Sequence, residues 1–144
     1  MSGAPAETLH ASAVAWQGRA VLILGRAGSG KSGLALELMA YGCDLVSDDR
    51  TLVAAAEGCL WASPPPAIAG RIEARGIGIL PAAHVARARL VLAADLDRTE
   101  TARLPERRHI SVCGIALPLV ARVEGRHFPA SLMQFLRAGS DVPV

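Results

Sequence analysis

Residues 21–33 read VLILGRAGSGKSG, a short apolar run that leads into a glycine-rich loop ending in Lys31-Ser32. The segment GRAGSGKS matches the phosphate-loop pattern G-x-x-x-x-G-K-[ST] in full. Glycines let backbone N–H groups converge on phosphate oxygens, and a following helix directs its positive end at the same anion. The segment therefore predicts a phosphate-binding site. Its candidate residues are Gly25, Arg26, Ala27, Gly28, Ser29, Gly30, Lys31 and Ser32.

The flanking sequence places this loop inside a strand–loop–helix–strand unit. Residues 19–24 form a continuous apolar run, typical of a strand buried on both faces. Residues 31–41 carry apolar side chains at helical spacing, Gly42 marks the helix end, and residues 44–47 begin another strand. A unit of this length suits a right-handed crossover. The pattern predicts an α/β fold, a P-loop-containing sheet with flanking helices.

The rest of the chain predicts further strands and one more helix. The predicted elements are strands over 8–16, 50–60 (at an edge, with a turn), 87–96 and 109–123 (two strands), and a helix over 128–138 with Pro129 in its first turn. The prolines of residues 63–66 exclude regular structure there, and the charged residues 98–108 predict a solvated loop.

Length and composition narrow the class of protein. A chain of 144 residues fits one domain over 1–144, and 51% hydrophobic with only 3% aromatic residues predicts an aliphatic core. A net charge of +2 favours neither nucleic acid nor a membrane surface as a partner. We see no signal peptide or membrane-spanning stretch and expect a cytoplasmic protein, with Cys43, Cys59 and Cys113 as reduced core thiols.

Two acidic residues follow the strand predicted after the loop helix. Asp48 and Asp49 at this point would hold Mg²⁺ through water, or one of them would act as a base on an attacking hydroxyl. The alternative is an exposed Asp-Asp turn. The phosphate loop in the same unit favours the functional interpretation.

Two weaker signals lie on either side of this unit. Glu73 with Arg75, Gly76 and Gly78 has the composition of a metal ligand beside a ligand-contacting loop, and an ordinary surface loop is the alternative. His10 lies on a predicted strand upstream of the loop, and a lone histidine more often has a structural or solvated role than a place in a site.

These motifs, in this order, resemble the catalytic domain of HPr kinase/phosphorylase. The resemblance rests on HASAV from His10, the phosphate loop, and the segments ALEL, VSDDR and EARGIGI that follow it. It covers residues 8–80 most closely and residues 85–125 more weakly. We expect the short alphaproteobacterial-type form without the N-terminal domain, with a fold like HPr kinase and PEP carboxykinase.

The resemblance implies an ATP-dependent protein serine kinase that acts on the phosphocarrier HPr. It also allows the reverse reaction, in which inorganic phosphate attacks phosphoserine and releases pyrophosphate, and a homo-oligomeric assembly. The P-x-R-P-G-R-N stretch of the long form is missing from residues 118–144, which leaves the reverse reaction and the assembly open.

The resemblance also assigns roles to residues. Lys31 and the loop hold the phosphates of ATP, while Ser32 and Glu73 hold Mg²⁺. Asp49 is the base of the kinase reaction and the acid of the reverse one, and Asp48 supports the metal or the geometry.

Two further positions are assigned to phosphate by the resemblance. His10 helps to position phosphate, and Arg103, in the segment ARLP, matches an arginine that contacts the transferring phosphate. The residue pattern alone makes Arg75 a candidate to hold substrate or phosphate, with Gly76 and Gly78 in the same predicted substrate loop.

Two other functions stay open at this point. One is a P-loop kinase with another substrate, either a protein or a small molecule. The other is a non-catalytic module that senses ATP. Paired acids beside the phosphate loop favour catalysis, because a mere nucleotide binder has no need of them.

Overall fold

The structure, a computed structural model, describes residues 6–139 and builds them from eleven strands and two α-helices. The strands are β1 (Ala6–Leu9), β2 (Ala11–Trp16), β3 (Arg19–Leu24), β4 (Asp44–Ser47), β5 (Thr51–Ala56), β6 (Cys59–Ser63), β7 (Arg71–Ala74), β8 (Gly78–Pro81), β9 (Ala88–Thr99), β10 (Arg108–Val112) and β11 (Ile115–Arg122). The helices are α1 (Lys31–Ala40) and α2 (Phe128–Ala138), and a single 3₁₀ turn covers Pro66–Ile68. None of the helices in the described range is long and apolar enough to span a membrane.

The main sheet is mixed, and its strand order is β1-β5-β6-β9-β3-β2-β4. Strand β3 runs parallel to β9, and β9 runs parallel to β11, which also pairs with β10. Strand β4 has the direction of β3, because β2 lies between them and is antiparallel to both. The carboxyl ends of β3, β4, β9 and β11 therefore meet at one edge of the sheet.

The predicted strand–loop–helix–strand unit is present as β3-α1-β4, with β2 inserted between its two strands. The insertion follows from the tight turn before β3, where Gln17 and Gly18 both have positive φ (48° and 81°). A two-residue turn of this kind joins antiparallel neighbours. Strand β2 consequently occupies the place beside β3, and the crossover passes over it.

Residues 8–16 were predicted as one strand, but His10 interrupts it and separates β1 from β2. Strand β1 pairs with β5, whereas β2 pairs with β3 and β4 at the far end of the strand order. The two strands are successive in the chain, so the sheet must roll to bring its distant parts together. Small side chains on β2, such as Ala11 and Ala13, are fully buried on the inner face and leave room for this roll.

Residues 50–60 were predicted to form an edge strand and a turn. The strand and the turn are present, but the predicted edge position is wrong. The segment forms β5 and the start of β6, and β5 is flanked by β1 on one side and β6 on the other. The edge position belongs to β1 instead. Local sequence could not show this pairing, because β1, the partner of β5, was predicted to belong to the same strand as β2.

Both helices cover the same face of the sheet. The apolar sides of α1 and α2 share one core cluster with sheet residues such as Val14, Val21 and Leu92. The opposite face forms a second cluster made from strand residues alone, including Leu22, Val53 and Leu117. The helices predicted over 31–41 and 128–138 are confirmed, and they support the phosphate-loop side of the sheet.

The three cysteines were predicted to be core thiols, and this holds for one of them. Cys43 is buried, and its Sγ lies 3.3 Å from Met133 Sδ, whereas Cys59 and Cys113 are half-buried. Burial and the neighbouring Asp44 carboxylate raise the pKa of the Cys43 thiol to about 11. No disulfide joins cysteines within residues 6–139.

The packing of α1 predicts a large effect for one truncation. Leu38 is fully buried against the sheet, so Leu38→Ala should lower the free energy of unfolding by about 2–5 kcal/mol. Its neighbour Glu37 is exposed, and Glu37→Ala should stay within about 0.5 kcal/mol of the unmodified chain. Urea denaturation followed by circular dichroism measures both, and equal losses in the two variants would contradict this packing.

Candidate functional site

The glycine-rich loop joins the end of β3 to the start of α1 at the edge where the parallel strands end. Gly25, Gly28 and Gly30 have φ values of 156°, 83° and 100°, a range that side chains other than hydrogen seldom allow. A Cβ on Gly25 would stand 2.4 Å from Ser29 Oγ. The loop is therefore closed tightly on itself, and glycine is required at its first position.

The N-terminus of α1 is open to an anion. Gly30 precedes the helix, no side chain caps it, and no acidic residue lies in its first turn. The Ser29 hydroxyl oxygen is buried without a hydrogen-bond partner among the described residues. Free N–H groups at a helix start and an unpartnered buried hydroxyl fit a bound phosphate group.

Lys31 is the buried cation of the loop, and carbonyl oxygens of the loop hold it. Its Nζ donates to the carbonyl oxygens of Gly25 at 2.6 Å and Arg26 at 3.2 Å, and the residue is only 5% exposed. A buried ammonium group needs such partners, because its desolvation is costly. The same position lets Lys31 exchange carbonyl oxygens for phosphate oxygens.

Asp48 is the most connected polar side chain of the site. Its Oδ1 accepts hydrogen bonds from Ser12 Oγ at 2.9 Å and Ser32 Oγ at 2.7 Å, and its Oδ2 accepts one from the Glu73 N–H at 3.0 Å. The residue is 8% exposed. Three donors compensate the burial of this carboxylate and attach the end of β4 to β2, α1 and β7.

Asp49 has the opposite character, because its carboxylate faces solvent. Its Oδ1 lies 2.7 Å from His10 Nε2, and the two side chains are 59% and 51% exposed. Its backbone is left-handed (φ 64°), which is uncommon outside glycine, and its N–H donates to Ser12 Oγ at 3.0 Å. The site thus contains one buried and one accessible carboxylate, side by side.

The oxygen atoms beside the loop fit a hard divalent cation. Ser32 Oγ and Asp48 Oδ1 are 2.7 Å apart at the start of α1, and hydroxyl and carboxylate oxygens are ligands that Mg²⁺ prefers. Within residues 6–139 no group of three or more His, Cys, Asp or Glu side chains forms a metal cluster by itself. The fit is that of an ion held jointly by a few side chains, waters and substrate phosphates.

The predicted substrate loop lies on a separate hairpin of β7 and β8. Glu73 meets Asp48 through its main-chain N–H, while its side chain is exposed. Arg75 and Gly76 form the turn, and Gly78 begins β8, all of them exposed. The hairpin is therefore attached to the buried acid, and its turn projects into solvent.

Arg103 lies apart from this group, in the exposed segment between β9 and β10. No hydrogen bond or ion pair within the described range joins it to the phosphate loop or to Asp49. The segment is held by Glu100, which accepts the N–H groups of Thr101 and Ala102 and a 2.8 Å bond from Arg108. The Ala102 N–H and the Arg108 guanidinium lower the pKa of Glu100. The role assigned to Arg103 stays a prediction.

Three residues that sequence reasoning missed complete the site. Arg122, the last residue of β11, donates from Nη2 to the Ser29 carbonyl, and Asp97 on β9 accepts the Arg26 N–H at 3.0 Å. Ser12 bridges the two acids. The two strands over 109–123 were predicted without their directions, so nothing indicated that the end of the second would reach the loop.

A cavity of about 340 Å³ opens beside the loop, between the first turn of α1 and the segment that follows β11. Its walls combine the apolar residues Leu96, Val123 and Phe128 with Arg122. This volume lies at the lower end of the about 300–1,000 Å³ typical of small-molecule sites.

A phosphate loop with a buried carboxylate at its serine and an accessible carboxylate next to it is typical of P-loop proteins, a class that binds phosphate-containing ligands. The family model for the HPr Serine kinase C-terminal domain matches residues 2–94, more than half of the chain. The chain belongs to this family.

The comparisons with individual proteins agree with this assignment. The solved structure of the Hpr(Ser) kinase/phosphatase from Coxiella burnetii has a TM-score of 0.76 and 26% identity, covering 91% of this chain and 94% of that one. This likeness confirms the predicted fold class.

Curated relatives named HPr kinase/phosphorylase match part of the chain. One from Clostridium botulinum (strain Eklund 17B / Type B) is 42% identical over 77 residues, which are 54% of this chain and 25% of the relative. One from Streptococcus thermophilus (strain ATCC BAA-491 / LMD-9) is 45% identical over 74 residues, 51% of this chain and 24% of the relative. The match therefore spans about a quarter of the length of these relatives.

The closed loop predicts an effect of a single methyl group. Gly25→Ala should lower the affinity for a phosphate group, with ATP as the probe, at least about tenfold, because the new Cβ clashes with Ser29 and opens the cradle. Gly114→Ala is the matched control, since Gly114 also has positive φ (78°) but has open space around it in the β10–β11 turn. Calorimetric titration with ATP measures both, and equal affinities would show that the loop tolerates a side chain.

Proposed function

We propose that this chain is an ATP-dependent protein serine kinase whose substrate is an HPr-type phosphocarrier. The observation that carries the proposal is the position of Asp49, an accessible carboxylate linked through Ser12 and Asp48 to the first turn of the phosphate-loop helix. The family and the names of its relatives support the same activity.

The nucleotide has a place in the proposed complex. Its phosphates enter the cradle of the loop, where Lys31 exchanges carbonyl oxygens for phosphate oxygens and the α1 N–H groups bind the anion. The cavity between α1 and the segment after β11 receives the nucleoside, with Leu96 and Val123 as apolar walls.

Ser32 and Asp48 are the residues that would hold Mg²⁺, and the exposed Glu73 side chain is the third candidate. When bound, this ion neutralises charge on the phosphate oxygens. The protein's own contribution is to keep Ser32 and Asp48 in contact before any ligand arrives, so that little reorganisation is needed.

The chemistry assigned to Asp49 is proton transfer. Its carboxylate takes the proton of the substrate serine while that serine oxygen bonds to the γ-phosphorus of ATP, and the bond to the β-phosphate oxygen breaks to release ADP. His10 holds Asp49 Oδ1, which leaves the other carboxylate oxygen to meet the hydroxyl. In the reverse direction the same carboxyl returns the proton to serine, while phosphate takes the phosphoryl group.

A protein substrate suits the surface beside Asp49. The β7–β8 hairpin exposes Ile77 (78%) and Ile79 (70%), and the Glu73 N–H attaches it to Asp48, the neighbour of Asp49 in the chain. Exposed apolar side chains next to a site are typical of protein–protein contacts, and binding of a small polar substrate does not require them. Arg75, in the same turn, adds a positive charge.

The first test is phosphoryl transfer from γ-labelled ATP with Mg²⁺ to the organism's own HPr. Asp49→Asn should lower the rate at least about 100-fold, because it removes the proton acceptor and keeps the shape of the side chain. Asp44→Asn is the matched control, since Asp44 lies at the other end of β4, and it should retain the rate of the unmodified chain.

The outcomes of this test separate the three candidate functions. Label on a serine of HPr, lost in Asp49→Asn, supports the kinase. Label on other proteins or small molecules but not on HPr assigns another substrate. ATP binding without transfer to any acceptor would leave a nucleotide sensor.

The hairpin predicts a separate effect on substrate affinity. Ile77→Ser should raise KM for HPr at least about fivefold with little change in kcat or in ATP affinity, because it removes an apolar contact outside the reacting atoms. Tyr41 lies at the C-terminal end of α1, away from the phosphate loop, and its side chain is 47% exposed. Tyr41→Ser should therefore leave KM unchanged. An unaltered KM in Ile77→Ser would place HPr elsewhere.

A further inference from the structure

We infer that Ser12 is a positioning residue that sets the orientation of both acids of the site. The expected effect on catalysis rests on the proposed function, whereas the positioning of the two acids by Ser12 does not depend on it. One hydroxyl group, fully buried on β2, is hydrogen-bonded to Asp48 and to Asp49 at the same time.

The hydrogen-bonding capacity of Ser12 is used by the two acids. Its O–H donates to Asp48 Oδ1 at 2.9 Å, and its oxygen accepts the Asp49 N–H at 3.0 Å. A serine hydroxyl has one proton to donate, so the direction of both bonds is settled: the carboxylate accepts and the amide donates. Alanine would remove both bonds at once and leave a buried carboxylate with one donor fewer.

The backbone of Asp49 requires such support. Its φ of 64° is left-handed, a region that residues other than glycine occupy uncommonly and that contacts with the surroundings must stabilise. His10 holds the side chain from the solvent side, and Ser12 holds the peptide N–H from the core side. Without Ser12 the peptide is free to relax, and the carboxylate moves with it.

Ser12 also connects Asp49 to the phosphate loop. Hydrogen bonds run from the Asp49 N–H to Ser12 Oγ, from Ser12 Oγ to Asp48 Oδ1, and from Ser32 Oγ to the same Asp48 oxygen. Ser32 lies in the first turn of α1, directly after the loop. The position of Asp49 relative to the phosphate loop is thus linked to one buried hydroxyl.

The test compares Ser12→Ala with Ser12→Thr. Ser12→Ala should lower kcat for transfer to HPr about 10–100-fold with KM for ATP within about twofold, because misplacing a reacting group by about 1 Å costs up to about 100-fold. Ser12→Thr keeps the hydroxyl and should recover at least about a third of the rate. Equal losses in both variants would indicate packing damage and overturn the inference.

Thr51→Val is the matched control for the loss of a buried hydroxyl. Thr51 is fully buried on β5, and its Oγ1 donates to the Ala11 carbonyl at 2.8 Å without touching either acid. This variant should lose stability to an extent similar to Ser12→Ala and keep kcat. A comparable loss of kcat in Thr51→Val would show that any buried hydroxyl in this part of the sheet matters equally.

A second measurement does not depend on activity. Amide hydrogen exchange of Asp49, followed by NMR in the ligand-free chain, should be at least about tenfold faster in Ser12→Ala than in Ser12→Thr, because the N–H loses its acceptor. Unchanged exchange overturns the inference even if the kinase is confirmed. Faster exchange in a chain that transfers no phosphate supports the positioning of Asp49 while the proposed function fails. If Ser12→Ala does not fold, Ser12→Cys, which donates only weakly, replaces it in both measurements.

Discussion

The carboxylate of Asp48 is the interaction on which the site depends. It is buried at the end of β4, and donors from three other elements, Ser12, Ser32 and the Glu73 N–H, compensate its lost hydration. Removal of any one donor leaves part of a buried charge without a partner, which is costlier than the bond itself is stabilising. This constraint holds α1 and the β7–β8 hairpin in a fixed relation to β2 and so makes the arrangement of the remaining groups possible.

The topology of the sheet explains how a small number of residues can form the candidate site. Because β3, β4, β9 and β11 end at the same edge, the groups that follow or terminate these strands converge without further machinery. The phosphate loop follows β3, the acid pair follows β4, Asp97 lies near the end of β9, and Arg122 ends β11. Crevices at the carboxyl ends of parallel strands are the usual binding sites of α/β sheets. The order of the strands, and not the length of the side chains, brings these groups to the same place.

Because both helices cover the same face of the sheet, the apolar residues on the opposite face must be shielded from solvent by the sheet itself. Among residues 6–139 no helix covers the second core cluster, and the sheet covers it by rolling until β1 and β2 follow each other across the interruption at His10. Alanine at Ala11, Ala13 and Ala15 makes this close approach possible, since larger side chains on the inner face would hold the strands apart. The same roll carries His10 to Asp49. Packing on the side remote from the loop therefore contributes to the geometry of the acid pair.

What the sequence by itself determined is local. The phosphate loop, α1 and the strand before them follow from glycine placement and periodicity, and the acid pair follows from its position after the next strand. The partners that hold these groups were decided only by the tertiary structure. Nothing in the pattern around Ser12 or Arg122 distinguishes them from other polar residues at the start or end of a strand. Their contacts with Asp48 and Ser29 arise from strand order and from the roll of the sheet. Periodicity reports which side of an element is buried, whereas pairing between strands depends on contacts between residues distant in the chain, and no local pattern encodes these.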